Sequence, residues 1–313
     1  MREPIGYDRL PTERANRASR ALDRLSPLEI AVLMNREDRR AVAAVGRVTR
    51  ATAAAVGLIV GALRRGGRLI FVGAGTSGRL GVLEAAECPP TFNTPPGLVQ
   101  AVIAGGRASV FRSREGAEDD ARDAIRRLRA RARPGDVVVG VSASGVTPFV
   151  RAALREARAR GCRTVLVSCH PSRSLRGLAD VLVAPAPGPE VLAGSTRLKA
   201  GTATKLVLNT LTTASMARLG KVYGNRMVDL QPRSRKLRER AVRLVAEIAG
   251  VSRPRAVRAL AAAGGRARLA IVMARHAVDR RAGQRLLHRS GGDLRAALAR
   301  SPTRADERRP RAF

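Results

Sequence analysis

A glycine-rich stretch, GAGTSG at residues 73 to 78, is the first part of the sequence that could bind a ligand. Gly73, Gly75 and Gly78 have the G-x-G-x-x-G spacing of a dinucleotide-binding turn, which joins a strand to a helix. Thr76 and Ser77 add two hydroxyl groups that can donate hydrogen bonds to a phosphate. The pattern therefore predicts a phosphate-binding loop, either for a nicotinamide dinucleotide or for another phosphate compound.

A nicotinamide-binding turn also requires an acidic residue at the end of the next strand, about 20 residues further on. The next strand-like run ends at Gly105 and Gly106, where neither Asp nor Glu is present. The sequence therefore disfavours a nicotinamide-dependent dehydrogenase.

A second loop of similar composition is SASGVTPF, which begins at residue 142 and offers the hydroxyls of Ser142, Ser144 and Thr147. Hydroxyl and N–H donors at two helix N-termini of one parallel sheet suit a single compact phosphate dianion. Ser and Thr also cap helices without any ligand, which is the simpler interpretation of one such loop alone. Two equivalent loops favour the phosphate site.

The elements that must position these loops are predicted from five short runs rich in β-branched residues, which alternate with amphipathic helical stretches. Such runs, apolar throughout, indicate a parallel sheet covered on both faces, and right-handed crossovers make it doubly wound. We therefore predict an α/β fold of the flavodoxin type. The strand-like runs are residues 68–73, 98–105, 136–144, 163–169 and 180–186.

The pattern of helix-like and strand-like stretches divides the chain into four segments. A helical segment, in which Ser26-Pro27 and Glu29 mark a helix start, precedes the α/β domain. A small helical region follows the domain, and within it residues 258–271 and 285–298 are weakly similar, each with a central Gly-Gly pair. The predicted segments are 1–65 helical, 66–225 α/β, 226–300 helical and 301–313 a disordered basic tail.

The composition gives a formal net charge of +34, carried almost entirely by Arg, since Lys occurs only four times. Arg and Ala are enriched along the whole chain, and only five Phe and two Tyr could stack on bases. We therefore expect non-specific, salt-sensitive polyanion binding but no specific nucleic-acid partner. Three Cys and three His without ligand spacing, the lack of a signal peptide and short apolar runs predict a cytoplasmic protein without metal or membrane.

Several stretches together are similar to the N-acetylmuramic acid 6-phosphate etherase family. They are GRLIFVGAGTSGRLGVLEAAECPPTF, EGAEDD, SASGVTPFV and GPEVLAGSTRLKAGTATK, which occur in the family's order, and the similarity extends from about residue 11 to 298. The resemblance implies a sugar isomerase (SIS) domain that binds phosphosugars. It also implies a cytoplasmic homodimer that recycles the amino sugar of peptidoglycan.

The family's reaction removes the D-lactyl ether of N-acetylmuramic acid 6-phosphate, giving N-acetylglucosamine 6-phosphate and D-lactate. Elimination and rehydration need two acid–base groups and neither metal nor cofactor. The resemblance implies that these groups are Glu87, as acid toward the leaving oxygen, and Glu118, as base. From sequence alone, each glutamate also has a purely structural explanation. Glu118 could lie in the first turn of a helix, where the helix dipole favours acidic residues. Glu87 could be a surface residue at the end of a helix before Pro89 and Pro90.

Further residues could complete the substrate site. Ser195 and Thr196 resemble a substrate or dimer-interface loop, and Lys199 could place a positive charge near the phosphate. Arg197 is more simply a solvated residue of an Arg-rich chain, and Cys88 a small buried one. Glu190 could hold the site without taking part in the reaction.

The sequence departs from the family's pattern at Val146, where Arg is usual, at His170, where Asn is typical, and at Phe149, where Tyr is common. The Val146 change removes a potential anion contact. Two other functions remain open on the same fold, namely a non-catalytic phosphosugar-binding regulator and a phosphosugar isomerase. Retention of both glutamates favours the etherase.

Overall fold

The computed structural model describes residues 10–229 and 234–301, and these form two compact units. The first unit contains residues up to 86 and 96–215, and the second contains 87–95 and the described residues from 216 onward. Apart from Ser301, the predicted basic tail lies outside the described residues. The division of the chain at residues 65, 225 and 300 stays a prediction.

Two helices precede the sheet in the first unit, as the sequence predicted. The first, α1 (Pro27–Gly46), begins with a capping box, in which the Ser26 hydroxyl accepts from the Glu29 N–H and the Glu29 carboxylate accepts from the Ser26 N–H. The second is α2 (Thr49–Arg64). No single described helix is long and apolar enough to span a bilayer, although α1 and α2 taken together, bent by 60°, reach that length and composition.

Five parallel strands form the sheet, and each coincides with a run predicted from the sequence. The sheet order is β2-β1-β3-β4-β5, and β1 pairs with both β2 and β3. All residues of β1 and β3 are buried, as expected for central strands covered on both faces. The strands are β1 (Leu69–Gly73), β2 (Val99–Ile103), β3 (Val137–Val141), β4 (Arg163–Val167) and β5 (Val181–Val183).

The helices that connect strands of the sheet are α3 (Gly75–Phe92), α4 (Ala121–Arg129) and α5 (Pro148–Ala159), and α6 (Lys199–Arg218) follows β5. One face of the sheet packs against α4 and α5 through buried apolar side chains. These include Ile70, Val72, Val138, Leu128, Phe149 and Leu154. The doubly wound α/β fold predicted from the sequence is confirmed.

Two expectations about helix ends were wrong. The helix that contains Glu87 does not end there, because α3 continues through Pro89 and Pro90 to Phe92. Both prolines lie in its last turn, and each removes an N–H donor to the residue four positions earlier, so this turn has fewer backbone hydrogen bonds. The helix that follows Glu118 begins later than predicted, because the Asp120 side chain caps α4 by accepting from Asp123 N–H. Glu118 therefore precedes the helix and lies in a turn.

The second unit contains a short hairpin of β6 (Val222–Tyr223) and β7 (Arg226–Met227), followed by five helices. Their bounds are α7 (Arg235–Ala249), α8 (Arg253–Ala262), α9 (Ala267–His276), α10 (Arg280–Arg289) and α11 (Leu294–Ala299). The predicted repeat is present, since α8–α9 and α10–α11 are each joined by a Gly-Gly turn with positive φ angles. Only glycine adopts two such conformations in succession without strain.

A substitution at Gly140 of β3 can test how closely α5 packs against the sheet. A Cβ at this position would lie 2.8 Å from Val150 Cγ1 and 2.9 Å from Leu154 Cδ1. We expect Gly140→Ala to destabilise the fold by about 1–3 kcal/mol through overpacking, measured by urea unfolding. Gly57→Ala is the control, because Gly57 lies within α2 with no atom near the added methyl. It should stabilise by up to about 1 kcal/mol. Equal effects of both substitutions would contradict the close approach.

Candidate functional site

The strand order reverses beside β1, which lies between β2 on one side and β3 on the other. In open parallel sheets, ligands bind outside the carboxyl ends of the strands at such a switch point. The two loops at this point are those that follow β1 and β3. They are the two hydroxyl-rich loops that the sequence singled out.

The loop after β1 is tight because of its glycines. A Cβ on Gly73 would lie 2.7 Å from the Gly78 nitrogen, and a Cβ on Gly78 would lie 2.6 Å from Ile103 Cγ1. Gly75 has a positive φ of 53° and begins α3. The loop thereby places Thr76 and Ser77 in the first turn of α3, where backbone N–H groups have no intrahelical acceptor. A phosphate could accept from these N–H groups and from the two hydroxyls.

The loop after β3 is held together by Ser142. Its buried hydroxyl accepts from Gly145 N–H at 3.0 Å and lies 2.8 Å from Thr147 Oγ1. The Ser144 hydroxyl accepts from Val146 N–H at 3.3 Å. Ser142 thus braces the loop, while Ser144 and Thr147 face the cleft at the start of α5.

These loops line a cleft of about 380 Å³ in the first unit. Its further walls come from residues 10–13, from the turn at Glu118 and Asp119, and from the loop at Gly194 and Thr196. Of the predicted substrate residues, the structure brings together Thr76, Ser77, Glu118, Ser144, Thr147 and Thr196. Val146, where the family usually has Arg, also lines this cleft.

Glu118 has an exposed side chain on the rim of the cleft. Its backbone oxygen accepts from Phe149 N–H at 3.0 Å, which ties the acidic turn to the first turn of α5. Phe149 is itself fully buried in the core below. The carboxylate is therefore carried by a turn anchored to the same helix that begins the second phosphate loop.

Lys199, which was predicted to approach the phosphate, does not line the cleft. Its side chain is 1% exposed, and Nζ lies 2.6 Å from Glu37 Oε2 in a buried ion pair. Asn16 Nδ2 donates to the same oxygen at 2.8 Å and to Pro189 O at 3.2 Å. Ser195 likewise is absent from the cleft lining, although it neighbours Thr196. The sequence did not identify Glu37 or Asn16, because their partners are distant along the chain.

Glu190 caps α6. Its carboxylate accepts from the backbone N–H groups of Lys199 and Ala200, both at 2.9 Å. Burial raises the pKa of Glu190, and these backbone hydrogen bonds oppose that rise. Burial also acts to raise the pKa of Glu37, but hydrogen bonds from Lys199 and Asn16 outweigh it and hold the pKa below its usual value. Together these groups fix the loop that carries Gly194 and Thr196.

Glu87 belongs to the second unit and has an exposed side chain on α3. The buried carboxylate of that helix is Glu84, which the sequence did not single out. Glu84 is paired with Lys205 and accepts from the Thr212 hydroxyl at 2.6 Å. The sequence signal for Glu84 was its spacing of three residues from Glu87 within the same helix.

None of the three cysteines forms a disulfide bond, and all three are buried. Burial raises the pKa of Cys169 to about 12 and that of Cys162 to about 11, so neither forms a thiolate at neutral pH. His170 has its pKa lowered by burial and by the charge of Arg14. Among the described residues, no cluster of His, Cys, Asp and Glu is arranged to hold a metal ion.

The buried ion pair gives a stability prediction. Replacing Lys199 with Met should destabilise the protein by up to about 3–5 kcal/mol, because the buried Glu37 carboxylate would lose its buried cation. It would keep only Asn16 and the exposed Arg40, whose Nη1 lies 3.0 Å from Glu37 Oε1. Urea unfolding measures this change. The double variant Glu37→Gln with Lys199→Met should recover part of the loss, and Lys236→Met, at an exposed position on α7, serves as control. A loss equal to that of the control would contradict the pairing.

Comparisons with known protein families agree with the fold. Residues 51–158 match a family described as the glucokinase regulatory protein N-terminal SIS domain. Residues 119–214 match the SIS domain family.

Curated relatives match over most of the chain. The N-acetylmuramic acid 6-phosphate etherase of Symbiobacterium thermophilum is 54% identical over 85% of this chain and 88% of its own length. That of Synechocystis sp. is 48% identical over 94% of this chain and 96% of its own length. Among solved structures, phosphoheptose isomerase GmhA from Neisseria gonorrhoeae is 20% identical, with a TM-score of 0.46, and covers 60% of this chain and 97% of that one.

Proposed function

The chain belongs to the N-acetylmuramic acid 6-phosphate etherase family, and on that premise we propose how its cleft performs the family's reaction. The protein is a carbon–oxygen lyase. It cleaves the D-lactyl ether of N-acetylmuramic acid 6-phosphate and gives N-acetylglucosamine 6-phosphate and D-lactate, a step of cell-wall sugar recycling.

The phosphate of the substrate binds between the two loops at the switch point. The observation that carries this proposal is the convergence of both loops on one cleft, which Thr76, Ser77, Ser144 and Thr147 line. The N-termini of α3 and α5 add partial positive charge at the same edge of the sheet. A compact dianion suits this arrangement, whereas an extended pyrophosphate would lack the acidic partner for its ribose.

The reaction then needs two proton transfers at the sugar. In the ring-opened aldehyde, a base removes the proton at C2 while the bond from C3 to the ether oxygen breaks. An acid protonates the departing lactate oxygen, and water afterwards adds at C3 while C2 regains a proton. No net oxidation occurs, so two carboxylates suffice for the chemistry.

We assign the base to Glu118 and the acid, which later activates water, to Glu87. The assignment of Glu118 is supported by its place on the rim of the cleft that holds the hydroxyl loops. The assignment of Glu87 rests on its position in the AECPPTF stretch, which resembles the family's motif. Glu84 is a less suitable acid, because it is already paired with Lys205 and hydrogen-bonded to Thr212.

The loop at residues 194–196 and the assembly of the protein form the setting of the reaction. Ser195 and Thr196 belong to a loop that contributes to the substrate wall or to a homodimer interface. Lys199 supports this loop from within through its ion pair with Glu37. We propose a homodimer that acts in the cytoplasm without cofactor, on the basis of the resemblance and of the composition.

The carboxylate assignments predict the activity of two variants. Glu87→Gln and Glu118→Gln should each lower the rate of D-lactate release by about 10²- to 10⁴-fold, because an amide cannot transfer the proton. Glu239→Gln, at an exposed glutamate of α7, should release D-lactate at the wild-type rate. A folded wild-type protein that binds the phosphosugar but releases no D-lactate would indicate the non-catalytic regulator instead.

The phosphate cradle predicts a change in affinity. Thr76→Val and Ser144→Ala should each weaken inhibition by inorganic phosphate by about tenfold to a hundredfold, because each removes a hydroxyl that can donate to the anion. Competition with substrate in steady-state kinetics measures this change. Thr210→Val is the control, since its hydroxyl donates to Leu206 O within α6. Unchanged inhibition in both test variants would place the phosphate elsewhere.

A further inference from the structure

A small cavity of about 90 Å³ adjoins the cleft in the first unit. It shares Ala74, Gly75 and Glu118 with the cleft, so these three residues form the wall between the two spaces. We call it the side pocket. Its other polar lining residues are Arg79, Ser109, Ser113, Arg114 and Glu115.

A buried hydroxyl without a partner lies in the wall of the side pocket. Ser109 is 5% exposed, and its Oγ has no hydrogen-bond partner within the described part of the chain. Buried polar groups are nearly always hydrogen-bonded, so an isolated donor in a cavity wall is suited to a ligand. The left-handed turn at Gly105 makes room for this hydroxyl, because a Cβ there would lie 2.3 Å from Ser109 Oγ.

Two arginines give the side pocket its cationic groups. The Arg79 guanidinium is held in place, since Nε donates to Val110 O at 2.9 Å and Nη2 donates to Ser113 Oγ at 3.4 Å. These bonds use two of the five donors that a guanidinium carries. Arg114 lies beside the same turn, with Cδ 3.2 Å from the position of a Cβ on Gly105. Glu115 and Glu118 are the opposing charges in the lining.

The substrate carries a second anion that the phosphate cradle does not accommodate. Its lactyl carboxylate is joined to C3 by the ether that the reaction breaks. Resting on the proposed function, we propose that the side pocket binds this carboxylate through Arg79, Arg114 and Ser109. Arginine suits the task because its planar fork can bind a carboxylate by two parallel hydrogen bonds.

This placement has a consequence for the reaction. With the phosphate at the hydroxyl loops and the carboxylate in the side pocket, the sugar carbons between them pass the Glu118 carboxylate on the shared wall. The two anions thus fix the substrate from both ends, which orients the C2 proton for removal. The product sugar lacks the lactyl group and uses only one of the two anion sites.

The difference between substrate and product provides the test. Dissociation constants for N-acetylmuramic acid 6-phosphate and N-acetylglucosamine 6-phosphate are measured by calorimetry in the Glu87→Gln background, where turnover is slowed. Adding Arg79→Gln should raise the dissociation constant of N-acetylmuramic acid 6-phosphate, which carries the lactyl group, by about tenfold to a hundredfold. It should change the dissociation constant of N-acetylglucosamine 6-phosphate by less than about twofold. Arg79→Lys should restore part of the loss, and Ser109→Ala should show the same selectivity with a smaller effect.

Arg122→Gln, at an exposed arginine of α4, is the matched control and should change neither constant. Equal weakening of both sugars by Arg79→Gln would mean that the pocket binds a group common to them, such as the acetamide, and would overturn the proposal. Unchanged binding of both would overturn it too. Failure of the proposed function is seen separately, as the absence of D-lactate release by the wild-type protein.

Discussion

The pairing of β1 between β2 and β3 is the constraint on which the site depends. The chain passes from β1 to β2 on one side, whereas β3, the neighbour on the other side, comes later in the chain. The connections after β1 and β3 therefore lead away from each other and leave a crevice at the carboxyl ends of these strands. Both loops at that crevice begin helices, α3 and α5, so the free N–H groups of two helix ends converge. The three glycines of the first loop are needed for this approach, since added side chains at Gly73 or Gly78 would collide with backbone or with Ile103.

The loop at Gly194 and Thr196, which forms one wall of the cleft, depends on a buried polar cluster instead of apolar packing. Glu37, Lys199, Glu190 and Asn16 link α1, the start of α6 and the chain before α1. An ion pair of this kind costs free energy to desolvate, and its contribution to overall stability is therefore modest. What it supplies is geometry, because Gly194 N–H donates to Thr12 O at 3.0 Å and both residues line the cleft beside Thr196.

The sequence predicted the five strands, the two hydroxyl loops and the Gly-Gly repeat, because each depends on local periodicity or on glycine geometry. It was wrong where tertiary structure decides. The prolines after Glu87 suggested a helix end, yet α3 continues through both of them to Phe92. The ion pair of Lys199 with Glu37 could not be inferred from spacing, because Glu37 lies 162 residues earlier in the chain. A contact of Lys199 with the phosphate stays a prediction. The side pocket could not be predicted from the sequence either, because Arg79 and Ser109 are distant along the chain and come together only in the folded protein.

The most direct test of this account is a crystal structure of the protein with N-acetylglucosamine 6-phosphate bound. The account predicts that the phosphate lies between the N-termini of α3 and α5, within hydrogen-bond distance of Thr76, Ser77 and Ser144, with the sugar carbons beside Glu118. A phosphate bound away from these two loops would contradict the central claim that the reversal of strand order creates the phosphosugar site.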